Sequence, residues 1–211
     1  MPARTTRNFI AAGIAAALLF FPAAVDAKTA PKKKRIPPTP TATVALGDKR
    51  APRARAAQEC PNANLMPTAQ NLDAIRAAVL CLHNQIRASK GLPALKDNAK
   101  LRKAALGHSA DMVDEGYFDH TTPSGDTFVD RVLGAGYAKR TDGWALGENL
   151  AWGTGDLSTP AGVMNAWMNS AGHKANILKR SYREVGIGIR LGVPDDAGVG
   201  ATFTADFGAK A

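Results

Sequence analysis

Three polar residues of this 211-residue chain carry side chains suited to chemistry and lie among turn-forming residues. His120 precedes a Pro/Gly turn, Glu148 stands between Gly147 and Asn149, and His173 follows a glycine. Two imidazoles and a carboxylate match a zinc site with an open fourth position, or a general acid–base site. Because they lie far apart along the chain and form no local metal motif, each is equally well explained as a polar loop residue.

Two further histidines favour a structural role. His108 falls on the apolar stripe of a predicted helix, and His83 lies beside Leu82 on another. A single histidine in such a place is more often a hydrogen-bonded core residue than a ligand. We therefore expect core residues at both positions.

From Asn71 onward, apolar residues recur with the periodicity of a helix. Apolar residues at three- and four-residue steps predict a helix that ends near Gly91. Its stripe consists of Leu72, Ile75, Val79, Leu82 and Ile86. A second helix is predicted from an N-cap at Asp97 to Gly116.

Shorter elements complete the predicted fold. Residues 128–133 predict a short helix, and Ser158-Thr159-Pro160 supplies the N-cap and first residue of a helix that breaks at 170–172. Residues 185–191 and 201–207 alternate with period two, which predicts antiparallel strands joined by the Pro194-Asp195-Asp196 loop. Helices before strands predict an α+β fold with helices over an antiparallel sheet. The absence of a glycine-rich phosphate loop from the sequence argues against nucleotide chemistry.

The first 58 residues divide into two segments of different composition. Residues 1–27 combine two arginines with an apolar run and end in Val25-Asp26-Ala27, which predicts a signal peptide cleaved after Ala27. The run contains Pro22 and is shorter than the ~20 residues that span a bilayer, so we expect no transmembrane anchor after cleavage. Residues 28–58 are basic, rich in Pro and Ala, and poor in large apolar residues, which predicts a disordered linker.

The net charge of +9 is concentrated in that linker. Lys28 to Gln58 hold nine of the 27 basic residues and one acid, whereas basic and acidic residues balance from Glu59 onward. Residues 59–211 are expected to form one domain, and its balanced charge argues against nucleic acid as a partner. Two interpretations of the linker stay open: a spacer, or an electrostatic tether to anionic envelope polymers or lipid headgroups.

The two cysteines, Cys60 and Cys81, both lie in the part predicted to be exported. In an oxidising compartment they can pair, closing a loop worth roughly 3 kcal/mol. Two free thiols or a lipidated Cys60 are the alternatives, although no lipobox surrounds Cys60. We predict the disulfide.

Six motifs occur in an order that resembles a known family. They are Asn84-Gln85-Ile86-Arg87, Gly91-Leu92-Pro93-Ala94-Leu95, the run from Phe118 to Gly125, Gly147-Glu148-Asn149-Leu150, the run from Trp167 to Leu178, and Val185-Gly186-Ile187-Gly188. Covering about residues 72–207, they resemble the bacterial branch of the CAP superfamily, the SCP-like extracellular domains.

The resemblance implies an α-β-α sandwich in which His120, Glu148 and His173 converge in one cleft and hold a divalent cation such as zinc. In animal and plant members a second glutamate follows the helix tryptophan, whereas here the matching run continues through Asn169 and Ser170. The second carboxylate is therefore absent from that position. Asn169 or Ser170 is expected to fill the corner by hydrogen bonding, with weaker cation affinity.

The resemblance also favours one function over two others. The preferred one is a secreted or periplasmic monomer whose cleft binds a cation, a small or lipidic ligand or an envelope polymer without turnover. Once Glu148 is a ligand, no spare carboxylate is left to act as a general base. The alternatives are a metal-dependent hydrolase of envelope peptide or glycan and a structural scaffold with a hydrogen-bonded polar cleft. No catalytic residue is assigned.

Overall fold

The structure, a computed structural model, describes residues 59–195 and 198–210. The predicted signal peptide and linker, and Asp196 of the predicted loop, lie outside the described residues. In chain order the elements are α1 (Leu72–Ser89), β1 (Lys96–Asp97), α2 (Ala99–Glu115), α3 (Phe128–Gly134), β2 (Trp144–Thr154), a 3₁₀ helix (Gly155–Ser158), α4 (Pro160–Asn169), α5 (Ala171–Leu178), β3 (Glu184–Leu191) and β4 (Gly200–Lys210). Within the described ranges, no helix is long and apolar enough to cross a membrane.

The four strands form one sheet in the order β1-β3-β4-β2. β4 pairs antiparallel with β2 and β3 over long ladders, and the two-residue β1 joins β3 in parallel. Helix α2 packs on one face of the sheet, and α1, α4 and α5 pack on the other. The predicted α+β sandwich is therefore confirmed, with one short parallel strand added to the antiparallel sheet.

Two glycines of β3 set the distance between the sheet and α2. A Cβ atom on Gly186 would lie 2.0 Å from the backbone nitrogen of Arg102, and one on Gly188 would lie 2.2 Å from the carbonyl carbon of Ala105. The backbone of α2 can lie directly on β3 only because both positions lack a side chain. The alternate residues of β3 face the opposite way, into the main hydrophobic core.

Helix α1 buries a stripe that differs in part from the predicted one. Ile75 and Val79 are completely buried as predicted, but the stripe then continues through His83 and Arg87. Three residues predicted for this stripe are only partly buried: Leu72, Leu82 and Ile86. The core face of α1 thus contains two nitrogen-rich side chains where hydrophobic periodicity predicted aliphatic ones.

His83 is a core residue, as predicted. Its ring lies 5.6 Å from that of Trp167 and 5.5 Å from that of Phe207, and its Nδ1 donates to the Val79 carbonyl at 2.8 Å. Burial lowers the pKa of His83 to about 4, although the bond to Val79 favours the charged form. The imidazole is therefore neutral at neutral pH and fills space.

Strand β2 was not predicted, because its composition conceals it. Gly147, Glu148, Asn149 and Gly153 interrupt the run of strand-forming residues, and Gly, Asn and Glu are depleted in strands. Side chains from α4, α5 and the loop before β3 stabilise the strand instead.

Two other boundaries also differ from the prediction. The break expected at 170–172 is a junction at which α4 ends and α5 begins, so His173 lies in the first turn of a helix. The N-cap of α2 is Asn98, whose side chain accepts hydrogen bonds from the backbone of Lys100 and Leu101. Asp97, the predicted cap, belongs to β1.

Cys60 and Cys81 form a disulfide, as predicted. The bond joins the first described residues to the middle of α1. Close by, the carbonyl of Ala63 accepts a hydrogen bond of 2.8 Å from the nitrogen of Ala161, in the first turn of α4. Residues 60–71 are thereby tied to two helices on the same face of the sheet.

Replacing both cysteines with serine is expected to lower the free energy of unfolding by roughly 3 kcal/mol, because the unfolded chain gains the freedom of a loop of 21 residues. Urea unfolding of both proteins measures the difference. A reductant should bring the wild type to the value of the variant and leave the variant unchanged. A difference below about 1 kcal/mol would contradict this account.

Candidate functional site

Glu148 is the centre of a polar cluster on the face of the sheet that α2 covers. Its Oε1 accepts a hydrogen bond of 2.8 Å from Nδ1 of His120, and its Oε2 accepts one of 2.7 Å from Nη2 of Arg131. Only 1% of the side chain is exposed. Burial by itself would raise the pKa of Glu148, but His120, Arg131 and the nearby His108 together lower it. Glu148 is therefore a buried, ionised and paired carboxylate.

His120 covers Glu148 and reaches solvent, with 52% of its side chain exposed. Two hydrogen bonds fix the backbone beside His120. His108 Nε2 donates to the carbonyl of Asp119 at 2.9 Å, and the Thr121 nitrogen donates to the Asp119 side chain at 2.9 Å. The hydrogen bond to Glu148 raises the pKa of His120, with burial acting against it. His108 is thus the hydrogen-bonded core residue that was predicted, and it positions the segment that carries His120.

Arg131 holds Glu148 from the other side and comes from α3. A capping box at Thr127 and Asp130 fixes the start of this short helix. Arg131 Nη1 donates to the Asp126 carbonyl at 3.0 Å, which aims the guanidinium at Glu148. The arginine therefore offsets the charge of a carboxylate that would otherwise be costly to bury.

His173 approaches the cluster from the opposite face, on α5. Its carbonyl accepts a hydrogen bond of 3.0 Å from the Asn149 side chain. Burial lowers the pKa of His173, and the charge on nearby His120 lowers it further. The structure thus brings the three predicted residues into one neighbourhood, where His120 favours the protonated form and His173 the neutral form.

Three side chains bond to the outer edge of β2 and hold the site strand in place. The Tyr182 hydroxyl donates to the carbonyl of Leu146 at 2.7 Å, Asn176 Nδ2 to that of Glu148 at 3.1 Å, and Trp167 Nε1 to that of Leu150 at 2.8 Å. A Cβ atom at Gly147 would lie 2.2 Å from the Tyr182 oxygen. Glycine before Glu148 is therefore required for this contact.

A second carboxyl group lies beside Glu148 and comes from β4. Asp206 is in register with Glu148 on one side and Gly186 on the other, so it faces α2 as they do. It is completely buried, and neither of its oxygens meets a hydrogen-bond donor among the described residues.

Two ionised carboxyl groups side by side in the interior repel each other, which favours a proton on one of them. Burial first, and then the charge of Glu148, raises the pKa of Asp206 well above its usual range. Because Arg131 and His120 stabilise the charged form of Glu148, Asp206 is the protonated member of the pair.

The donor set of the cleft fits ligation of a cation by imidazole. His120 bonds to Glu148 through Nδ1, which leaves Nε2 as the nitrogen for a metal, and carboxylates commonly orient metal-binding histidines in this way. Both Glu148 oxygens are engaged. In the ranges that the structure describes, no group of three or more His, Cys, Asp or Glu is placed to hold a metal ion. Glu148 thus fits as the group that orients His120 better than as a third ligand.

Residues 80–206 match the family model described as CAP, the cysteine-rich secretory protein family. The chain belongs to this family. All six sequence motifs lie within the matched region, and the CAP assignment confirms the resemblance on which the site prediction depended.

Relatives of this CAP chain occur in bacteria. It is 36% identical over 118 residues to "Uncharacterized protein YkwD" of Bacillus subtilis (strain 168), covering 56% of this chain and 43% of that protein. It is 35% identical over 111 residues to "Uncharacterized membrane protein YlbC" of the same organism, covering 53% and 30%. The chain therefore spans less than half the length of these curated relatives.

Solved structures share the fold. An extracellular protein containing a SCP domain from Bacillus anthracis str. Ames is 28% identical, with a TM-score of 0.51 over 67% of this chain and 44% of that one. An outer surface protein from Borrelia burgdorferi has a TM-score of 0.53 over 69% of this chain and 97% of its own. At 19% identity, the second likeness shows the fold alone.

The predicted corner residues of the CAP cleft lie at the junction of α4 and α5. The Asn169 amide donates to Asn165 one turn earlier, at 3.2 Å, and the Ser170 side chain makes no capping hydrogen bond to α5. Their role in the cleft stays a prediction. The carboxyl group that accompanies Glu148 in this CAP domain is supplied by Asp206 of β4 instead.

Sequence analysis missed Arg131 and Asp206. A usable signal existed for Asp206, because it is the one ionisable residue of the predicted strand 201–207. Asp206 alternates with apolar residues, a pattern typical of a strand with one face in solvent. In the structure, α2 covers the face of β4 that carries Asp206. The sequence around Arg131 did not indicate a role in the site, because a helix of seven residues does not show which strand its side chains face.

Glu148→Gln is expected to lower the pKa of His120 and to raise that of His173. The bond to Glu148 is the main cause of the raised pKa of His120, and the charge on His120 contributes to the lowered pKa of His173. Imidazole proton chemical shifts followed through a pH titration measure both values. Asp142→Asn, a change in an exposed loop, is the control. Shifts of both pKa values in the same direction would contradict the coupling.

Proposed function

We propose that this CAP domain works outside the cytoplasm as a binding module whose His120–Glu148–His173 cleft holds a divalent cation or a small polar or lipidic ligand without turnover. One observation carries the proposal. A buried, ionised Glu148 holds a half-exposed His120, so a fixed interior charge orients an imidazole that meets solvent. Such an arrangement is preorganised to bind.

The same contacts argue for binding over turnover. A general base needs a carboxylate or imidazole that is free to accept a proton from substrate. Glu148 is committed to His120 and Arg131, and Asp206 is completely buried. A metal-dependent hydrolase and a structural scaffold are the two alternative functions, and zinc titration together with an assay for released products distinguishes them from a binding module.

Zinc is the first cation to test. Nε2 of His120 and the imidazole of His173 would hold it, and the neutral form of His173 suits ligation. Zinc would supply a Lewis acid with open positions for an anionic or carbonyl-bearing ligand. Since the proton on His120 competes with the metal, zinc binding should strengthen as the pH rises.

Three features support a place outside the cytoplasm. The predicted signal peptide at residues 1–27 favours export, the Cys60–Cys81 disulfide suits an oxidising compartment, and a structural neighbour is described as extracellular. Periplasm and external medium are both consistent with these features. A monomer is proposed, with an envelope polymer as a candidate partner.

Isothermal titration calorimetry with zinc on the purified chain tests the proposal. We expect micromolar or tighter binding that disappears in the His120→Ala/His173→Ala double variant. Lys174→Ala, an exposed change beside His173, is the matched control and should bind like the wild type. No zinc binding by the folded wild type at neutral pH would overturn the cation part. Release of products from envelope peptide or glycan by the zinc-loaded protein would favour the hydrolase.

A further inference from the structure

Exposed apolar side chains gather at one end of the domain. Of the seven large hydrophobic residues that are strongly exposed in the described part of the chain, five belong to this end. They are Leu65 (50% exposed), Met66 (39%), Trp152 (36%), Leu157 (66%) and Val199 (85%), and we call them the apolar end. The other two, Leu106 and Phe118, lie on α2 and in the loop before His120.

Backbone contacts show that Trp152, Leu157 and Val199 are neighbours. A Cβ atom on Gly153, the residue after Trp152, would lie 2.8 Å from Cβ of Leu157. A Cβ atom on Gly200, the residue after Val199, would lie 2.1 Å from the carbonyl oxygen of Gly153. The three residues therefore lie at the same end of the β2–β4 pair, with Trp152 on the α2 face of the sheet and Leu157 on the other face.

Leu65 and Met66 reach this end through α4. The hydrogen bond between Ala63 and Ala161 places their segment beside the first turn of α4. That turn packs on the 3₁₀ helix that carries Leu157, because a Cβ atom on Gly162 would lie 3.1 Å from Cα of Leu157. Single exposed apolar residues are ordinary, but a cluster that includes tryptophan marks a surface that contacts something apolar.

The chain before this end supplies a strong positive charge. Lys28 to Gln58 hold nine basic residues and one acid. The last of these basic residues, Arg55, lies five residues before Cys60 along the chain. The apolar end itself has an acidic residue, Asp156, beside Leu157, so its own charge provides no attraction for an anionic surface.

An anionic bilayer is the one partner that satisfies both features. Shallow insertion of a few apolar side chains gives only marginal membrane affinity, and stable association needs a second signal such as a polybasic segment. Each basic residue near an anionic leaflet contributes about 1 kcal/mol. Tryptophan also favours the interface between lipid and water.

We propose that the apolar end docks on an anionic lipid surface, with residues 28–58 supplying the electrostatic attraction. The proposal does not depend on what the cleft binds. Trp152 lies four residues along β2 from Glu148, a distance of about 13 Å in an extended strand. Docking therefore brings the cleft close to the headgroups.

Vesicle flotation tests the proposal, with the exported form of the protein collected from producing cells. The vesicles contain phosphatidylglycerol and phosphatidylcholine, or phosphatidylcholine alone. We expect binding to the anionic vesicles that falls at least tenfold in Leu65→Ser/Leu157→Ser, and at least tenfold when residues 32–35 are changed to glutamine. Leu106→Ser, an equally polar change at an exposed leucine on α2, should bind like the wild type.

Three results would overturn it. Unchanged binding by Leu65→Ser/Leu157→Ser would show that the basic segment acts without the apolar end. Equal binding to both kinds of vesicle would remove the role of charge. Binding to an anionic envelope polymer but not to the vesicles would replace the lipid as partner. Far-UV circular dichroism of each variant confirms that it is folded.

Discussion

Replacing Arg87 with methionine is expected to lower the free energy of unfolding by about 4 kcal/mol. The guanidinium is completely buried and donates to four backbone carbonyls. Nε bonds to Pro93 at 2.8 Å, Nη1 to Ile177 at 2.8 Å and Lys179 at 3.0 Å, and Nη2 to Tyr182 at 3.1 Å. Methionine fills much of the same volume but donates no hydrogen bond, so these carbonyls lose a donor in a place that water does not reach.

Urea unfolding followed by circular dichroism measures this effect, and Arg183→Met is the matched control. Arg183 also donates to two backbone carbonyls but is exposed, so its loss should change stability by less than about 0.5 kcal/mol. Arg87→Lys should recover little, because a compact ammonium cannot reproduce the planar fork. A stability of Arg87→Met within about 1 kcal/mol of the wild type would show that the four bonds are not important.

Asp206→Asn is expected to raise the free energy of unfolding by about 2 kcal/mol at neutral pH. In the folded protein Asp206 keeps its proton, whereas in the unfolded chain it ionises at its usual pKa. Holding that proton at neutral pH opposes folding. Asparagine is neutral at every pH, so the variant is free of this penalty.

The sign of the pH dependence makes the test specific. Because the pKa of Asp206 is raised on folding, its contribution favours folding at low pH and is lost as the pH rises above about 4. The free energy of unfolding of the variant should therefore equal that of the wild type in acid. It should exceed the wild-type value increasingly as the pH rises toward neutral. Asp73→Asn, at a side chain that is 93% exposed, should show no such trend. A destabilised Asp206→Asn at neutral pH would mean that the buried carboxyl group is ionised.

Sequence periodicity predicted those elements whose buried face is apolar. The spans of α1 and α2 and the pairing of β3 with β4 were confirmed within a few residues. Strand β2 escaped notice because its buried side includes Glu148, and its stability comes from side chains that are distant in sequence. The burial of Arg87 was missed for a related reason, because the four carbonyls that accept its hydrogen bonds come from residues outside α1.

The site could be predicted only through the family motifs. They identified His120, Glu148 and His173, because a motif records which residues a fold brings together even when spacing cannot. They did not identify Asp206, since its place beside Glu148 depends on the register between β2 and β4. Register is a property of the sheet and appears in no single segment.

The three side-chain donors on the outer edge of β2 have a consequence for solubility. An exposed edge strand of 11 residues is a template on which another chain can add a strand and begin aggregation. Here Tyr182, Asn176 and Trp167 already occupy carbonyls along that edge, and at the other side of the sheet β1 offers two residues alone. Both edges of the sheet are thus protected against the addition of another strand, which limits aggregation of the domain.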